Sequence, residues 1–179
     1  VGLLGSAELA WGENPYGRVE ARLGFRRVFR GELAVSARID AGLVSHSGPL
    51  PPQQLFELGG PTQLPGFPYK SAAGDAAMLG MLMLSVPVVL PAAMRDLPKR
   101  WRPRLAAQLY GGFADASREE VAAAVSLLER DEPPCGVTVD CRPGTRRRAS
   151  AQIGLRLMDG ALFVGVTRRI SESDRWRFA

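Results

Sequence analysis

Arg18-Val-Glu-Ala-Arg-Leu-Gly-Phe-Arg26 is the stretch that decides the fold. Val19, Ala21, Leu23 and Phe25 fall on one face; Arg18, Glu20, Arg22, Gly24 and Arg26 fall on the other. A helix, repeating about every 3.6 residues, would mix the two sets, so this segment is a strand. Immediately downstream, Leu33, Val35, Ala37, Ile39, Ala41 and Leu43 alternate with Glu32, Ala34, Ser36, Arg38, Asp40 and Gly42.

The same alternation recurs far along the chain. Leu105, Ala107, Leu109, Gly111 and Phe113 oppose Arg104, Ala106, Gln108, Tyr110 and Gly112. Ala149, Ala151, Ile153, Leu155 and Leu157 oppose Arg148, Ser150, Gln152, Gly154 and Arg156. Asp159-Gly160 then marks a tight turn into 161–169, a hairpin signature. Weaker runs lie at 3–11 and 174–178, and Met78 to Leu90 is apolar on both faces, so its register is not legible. The total is about eight strands, many of about 9–12 residues, the length a tilted strand needs to cross a bilayer. The expected fold class is all-β: an antiparallel transmembrane β-barrel with one short loop helix, and about eight strands could by themselves close as a small barrel.

The character of the two faces separates a membrane barrel from a soluble sandwich. One face carries Arg, Glu, Gln, Ser and many Gly; the other carries Ala, Val, Leu, Ile and Phe. Charge and Gly facing a wet lumen, with aliphatics facing lipid, fits a barrel. A soluble β-protein remains the alternative on this pattern alone.

Loop lengths follow the barrel asymmetry of short turns at one end and long loops at the other. Ser45 to Asp75 and Ser117 to Arg147 are long and rich in Pro, Gly or charge, whereas Phe29-Arg-Gly31 and Met158-Asp-Gly160 are tight. Pro91 to Pro103 is long for a turn and fits less well. The first long loop, about 46–76, is expected to fold inward; the second, about 117–147, to lie outside. Within it Arg118 to Arg130 reads as a short helix, with Ser117 as N-cap and Glu120 completing a capping box.

Composition removes other classes. The chain has 179 residues, 46 % of them hydrophobic, with no apolar run long enough for a transmembrane helix. It opens inside a strand-like pattern with no leader, and reads as a fragment. The formal charge of +5 rests on arginines spread along the strands rather than gathered on one face with aromatics, so no nucleic acid partner is expected. Cys135 and Cys141 with a distant His46 make too few ligands for a metal site. They read as one small disulfide in an oxidising compartment, or as two free thiols. No Gly-x-Ser-x-Gly occurs and His46 has no nucleophile–acid set beside it, so no catalytic residue and no cofactor are expected within the chain.

Leu55-Phe-Glu-Leu-Gly-Gly-Pro-Thr-Gln-Leu-Pro-Gly-Phe67, followed by Gly74-Asp75 and a strand ending at Pro87, resembles the signature of the BamA/TamA surface-antigen family. Tyr110-Gly-Gly-Phe-Ala-Asp-Ala116 looks like that family's Phe-x-Asp-x-Gly strand end. Ile153-Gly-Leu-Arg156 and Trp176-Arg-Phe178 follow in matching order, so the resemblance runs from about Leu33 to the end. It singles out Phe56, Gly59, Gly60, Pro65, Gly66 and Phe67 as the loop motif. In the family the loop tip carries an Arg that pairs with an acid on the barrel wall; here that position is Pro65, and a Glu of the following strand is Met83. The wall acid is retained as Asp115, for which Arg104, Arg38 or Arg156 would be the new partner, unless it is simply solvated. Apart from any family, Gly59-Gly60 permits a tight bend, Gly66 a close approach to the wall, and Pro61, Pro65 and Pro68 stiffen the tip.

The resemblance implies a sixteen-strand barrel in the bacterial outer membrane that assembles, inserts or translocates proteins there; residues 1–179 would be its C-terminal half and, as a fragment, an open, curved sheet with two unpaired edges. Its partners would be outer-membrane lipids, client outer-membrane or secreted proteins, the N-terminal half of the same barrel and periplasmic domains. Barrels of this family also follow patatin-like phospholipase domains, in which case hydrolysis would belong to an upstream domain. A passive pore or a soluble β-protein completes the set of readings.

Overall fold

The structure, a computed structural model, describes residues 1–10, 15–48, 52–91, 98, 101–118, 121, 144–157, 162–170 and 177–178. Strands dominate. They are β1 (Gly2–Ala10), β2 (Tyr16–Val28), β3 (Ala34–His46), β4 (Phe56–Leu58), β5 (Ala72–Gly74), β6 (Ala76–Pro87), β7 (Arg104–Ala116), β8 (Gly144–Leu157), β9 (Leu162–Arg169) and β10 (Arg177–Phe178). Eight of them form one sheet in the order β1-β2-β3-β6-β7-β8-β9-β10, every neighbouring pair antiparallel. β1 and β10 stand at opposite ends of that order, so the sheet is open. β4 and β5 pair separately as a small hairpin inside the first long loop. Among the described residues no helix is long and apolar enough to cross a membrane.

Register carries the alternation of each strand coherently across the sheet. One row runs Phe25, Ala37, Leu82, Leu109, Ala151; the adjacent row on the other face runs Arg38, Met81, Tyr110, Ser150. The face of Leu109 is apolar, yet it is the uncovered one. Leu109 is 51 % exposed and Ile153 45 %, whereas their neighbours Gln108 and Gln152 are only 8 % and 7 % exposed. Each fully exposed aliphatic side chain forgoes roughly 1.5–3 kcal/mol of burial. A whole face of them is far beyond the scattered apolar exposure normal for a protein in water. We call this the outer face, and the opposite one, on which the first long loop packs, the inner face.

Several polar groups of the inner face are satisfied by one another. Gln152 Nε2 donates to Thr167 Oγ1 at 2.9 Å, and the Tyr110 hydroxyl donates to Gln108 Oε1. Asp40 is paired with both Arg22 and Arg38. The segment 78–90, apolar on both sides in sequence, now has a register: Ala77, Leu79, Met83 and Ser85 are buried on the inner face, and Met78, Leu82, Leu84 and Val86 are exposed on the outer. The connections β3 to β6 and β7 to β8 leave one end of the sheet; the tight turn at Arg30–Glu32 lies at the other, together with the long connection 88–103 between β6 and β7, which departs from the expected asymmetry. Of the helix expected over 118–130, Arg118 and Val121 are described, and Val121 is buried beside Val44, Leu55, Ala73 and Ala116. The rest of that segment, Cys135 and Cys141, Asp159-Gly160 and Trp176 lie outside the described residues.

Candidate functional site

The candidate site is the loop between β3 and β6 and the wall it meets. Its stem is the β4–β5 hairpin, with Phe56 opposite Gly74 and Leu58 opposite Ala72. Between the two strands the chain winds into a compact tip. Gly60 N–H donates to the carbonyls of Phe67 and Pro68, Leu64 N–H returns to Gly60 O at 3.0 Å, and Phe67 N–H to Leu64 O at 3.1 Å. The winding needs φ of +139° at Gly59, +79° at Gly60 and +88° at Gly66, values that side chains with a Cβ rarely adopt. Across the stem Lys70 pairs with Glu57 at 2.8 Å, and Ser71 Oγ donates to Leu58 O.

The loop lies on the inner face through two apolar clusters. Leu58, Leu64, Phe67 and Ala72 pack on Ala77, Leu79, Tyr110 and Ala114 of β6 and β7. Leu55 and Ala73 pack on Val44, Ala116 and Val121, with Tyr16 and Phe56 at the margin. Phe56 seats over Gly42, whose missing Cβ leaves room for its ring, and Arg18 lies 4.5 Å from the ring centroid. At the root, Val44 N–H donates to Asp75 O at 2.7 Å. The Asp75 carboxylate accepts from both the N–H and the hydroxyl of Ser117, and His46 Nε2 lies 3.8 Å away.

The tip is held by arginines of the wall. Arg169 Nε donates to Gly66 O at 2.7 Å. The Phe67 ring is approached by two guanidinium groups, Arg169 at 4.9 Å and Arg148 at 5.7 Å from its centroid. A cation over an aromatic face is worth about 0.5–2 kcal/mol, more as water is excluded. Thr167 fills the space beneath Gly66, where a Cβ would come within 2.9 Å of its Cγ2. Pro65, standing where the resemblance places an Arg, is fully buried. The cations are therefore on the wall, and the loop offers a carbonyl and a ring.

The structure gathers Phe56, Gly59, Gly60, Pro65, Gly66 and Phe67 in one loop against the inner face, but the expected wall partners are corrected. Asp115 is in phase with Leu109 and Phe113, so its side chain belongs to the outer face, where it accepts from Thr145 Oγ1. Arg104 stands at the far end of the same strand and donates to Ser85 Oγ, Ser85 O and Glu32 O. Arg38 pairs with Asp40, and Arg156 Nη1 donates to Met83 Sδ at 2.7 Å. Arg148, Thr167 and Arg169, which the sequence reading did not single out, hold the tip instead. Their inward phase was legible from alternation; their meeting with Phe67 was not, because it depends on where the loop comes to rest.

Between the loop and β1–β3 a cleft of about 390 Å³ is lined by charged groups, Arg18, Glu20, Arg22, Asp40 and Glu57, together with Phe56. Among the described residues no cluster of three or more His, Cys, Asp or Glu side chains is present. What this arrangement does chemically is clamp a compact loop to the inner wall, through apolar contacts along its length and arginines at its tip. Compared with protein-family models and with the curated proteins, the chain finds no match.

Proposed function

We propose that this chain forms part of a β-barrel in the bacterial outer membrane, and that the barrel serves the insertion or translocation of polypeptides there. The observation that carries the membrane reading is the inverted sheet: apolar side chains fill the uncovered face, while the polar and charged ones lie on the opposite, inner face. Lipid is the solvent in which that distribution is stable, because hydrocarbon covers Leu109 and Ile153 while Gln108 and Gln152 remain hydrogen-bonded on the inside. The two open edges, β1 and β10, are where further strands of the barrel would pair. The assembly role is supported by the resemblance of the loop at 55–67 to the surface-antigen signature and by the inward seat of that loop.

Two experiments test the reading. Nitroxide labels at Leu109→Cys and Ile153→Cys of the full-length protein in vesicles should collide with oxygen rather than with an aqueous chelate; labels at Ser36→Cys should do the reverse. Equal aqueous access at all three sites would remove the membrane assignment. Vesicles holding the protein should then speed insertion of an unfolded outer-membrane protein relative to empty vesicles. Ion conduction without such acceleration would select a passive pore.

A further inference from the structure

Charges on the outer face of the large sheet are few and stand at its margins. By phase they are, among the described residues, Arg27 on β2, Asp115 on β7, Arg147 on β8 and Arg168 on β9. The last three stand toward the loop end, where Asp115 accepts from Thr145 Oγ1; Arg27 stands at the turn end, cross-strand from Val35. Its guanidinium lies over the Phe29 ring, 5.1 Å from the centroid. Among the described residues no carboxylate, carbonyl or hydroxyl accepts from Arg27, and the exposed Glu32 of the adjoining turn pairs with neither Arg27 nor Arg30. An aromatic ring occupies the flat face of a guanidinium and leaves the N–H groups, which point outward in its plane, free to donate. The surroundings of Arg27 narrow the acceptor. Val35, Leu84, Ala107 and Ile153 continue its row, and Phe25, Ala37 and Leu82 form the next row toward the loop end. Phe25 is 42 % and Leu82 41 % exposed. The occupant must therefore cover apolar surface and present an anion at its margin, which an amphiphile does and a free ion does not.

We propose that Arg27, seated on Phe29, binds the phosphate of an anionic phospholipid whose acyl chains lie along Phe25, Val35 and Leu84. The proposal rests on the membrane reading above and adds to it a lipid of stated charge at a named residue. A guanidinium donates to phosphate through two parallel N–H bonds, a geometry that an ammonium lacks. The phosphate also removes the cost of an unneutralised cation at the edge of hydrocarbon. Arg30, exposed in the same turn, adds a second positive charge, which favours a head group without a compensating choline.

The test uses the full-length protein in phosphatidylcholine vesicles, with a bimane fluorophore at Val35→Cys, cross-strand from Arg27. Quenching by phosphatidylglycerol and by phosphatidylcholine, each carrying a nitroxide near the head of one acyl chain, measures which lipid occupies that position. Phosphatidylglycerol should be preferred about fivefold. Arg27→Gln should abolish the preference, and Phe29→Leu should reduce it, because the guanidinium loses its seat. Arg26→Gln, which removes the neighbouring cation from the inner face, should leave it intact. Equal quenching by the two lipids in the parent would overturn the proposal and leave the membrane reading standing. So would a preference undiminished by Arg27→Gln or Phe29→Leu, or one lost in Arg26→Gln. Quenching by neither lipid would remove both. Inorganic phosphate in place of chloride, at constant ionic strength, should leave the preference unchanged; its abolition would mark a free-ion site and overturn lipid as the occupant.

Discussion

At the scale of single residues, the loop tip turns on Gly66, Phe67 and Arg169. Gly66 combines φ of +88° with Thr167 beneath it, so Gly66→Ala meets two separate penalties, backbone strain and a methyl-on-methyl clash. Together they should cost about 1–3 kcal/mol, read as a lower urea midpoint of the full-length protein in vesicles. Thr167→Ser in that background removes Cγ2 but keeps the oxygen that accepts from Gln152, so it should restore part of the loss. No restoration would mean that the backbone alone sets the requirement. The clasp on Phe67 is tested by a double-mutant cycle of Phe67→Leu with Arg169→Gln. Leu keeps the contact with Leu64 and Tyr110 but has no π face, so the cycle isolates the cation–ring term, expected at about 1 kcal/mol. A coupling indistinguishable from zero would mean that Arg169 acts through its bond to Gly66 O alone.

At the scale of elements, the outer face gives a test in which water and lipid predict opposite signs. Leu109 lies mid-strand on the outer face and is half exposed; Thr145 lies on the same face near the loop end of β8. In a bilayer Leu109→Arg should cost about 2–4 kcal/mol and Thr145→Arg about 0–1; in water Leu109→Arg would be close to neutral. Vesicle-based urea unfolding separates the two cases. The strands themselves are legible because alternation survives wherever one face is polar: 18–26, 104–113 and 148–157 enter the large sheet whole, and the run 32–43 enters it from Ala34 on. Residues 78–90 hid their register for a reason that is now physical. The loop covers the inner side of β6, so Ala77 and Leu79 are apolar inward while Leu82 and Leu84 are apolar outward. β4 and β5, three residues each, are too short to show any period. An acid's chemistry does not reveal its partner without its phase: counted from Leu109 and Phe113, Asp115 points outward, away from the loop and toward Thr145.

At the scale of the whole molecule, the charges on the outer face predict how the sheet would sit in the bilayer proposed for it. Arg27 closes the apolar outer face at the turn end of β2, yet its row across the sheet continues as Val35, Leu84, Ala107, Ile153 and Val166. On β8 and β9 apolar positions extend still further toward the turns, through Leu155, Leu157, Val164 and Leu162. At the loop end the displacement has the same sense. Arg168 interrupts β9 in a row that reads Phe25, Ala37, Leu82, Leu109 and Ala151 on the other strands, and β2 stays apolar above it through Leu23, Ala21 and Val19. The apolar band therefore runs obliquely to the hydrogen-bonded rows. A band parallel to a membrane can do so only if the strands cross that membrane at a slant, as closed barrels require, at about 35–45° from the normal. Polarised infrared spectroscopy of oriented bilayers holding the full-length protein measures this angle directly. An order parameter for upright strands would contradict the slanted band, and strands lying in the bilayer plane would contradict the spanning reading altogether.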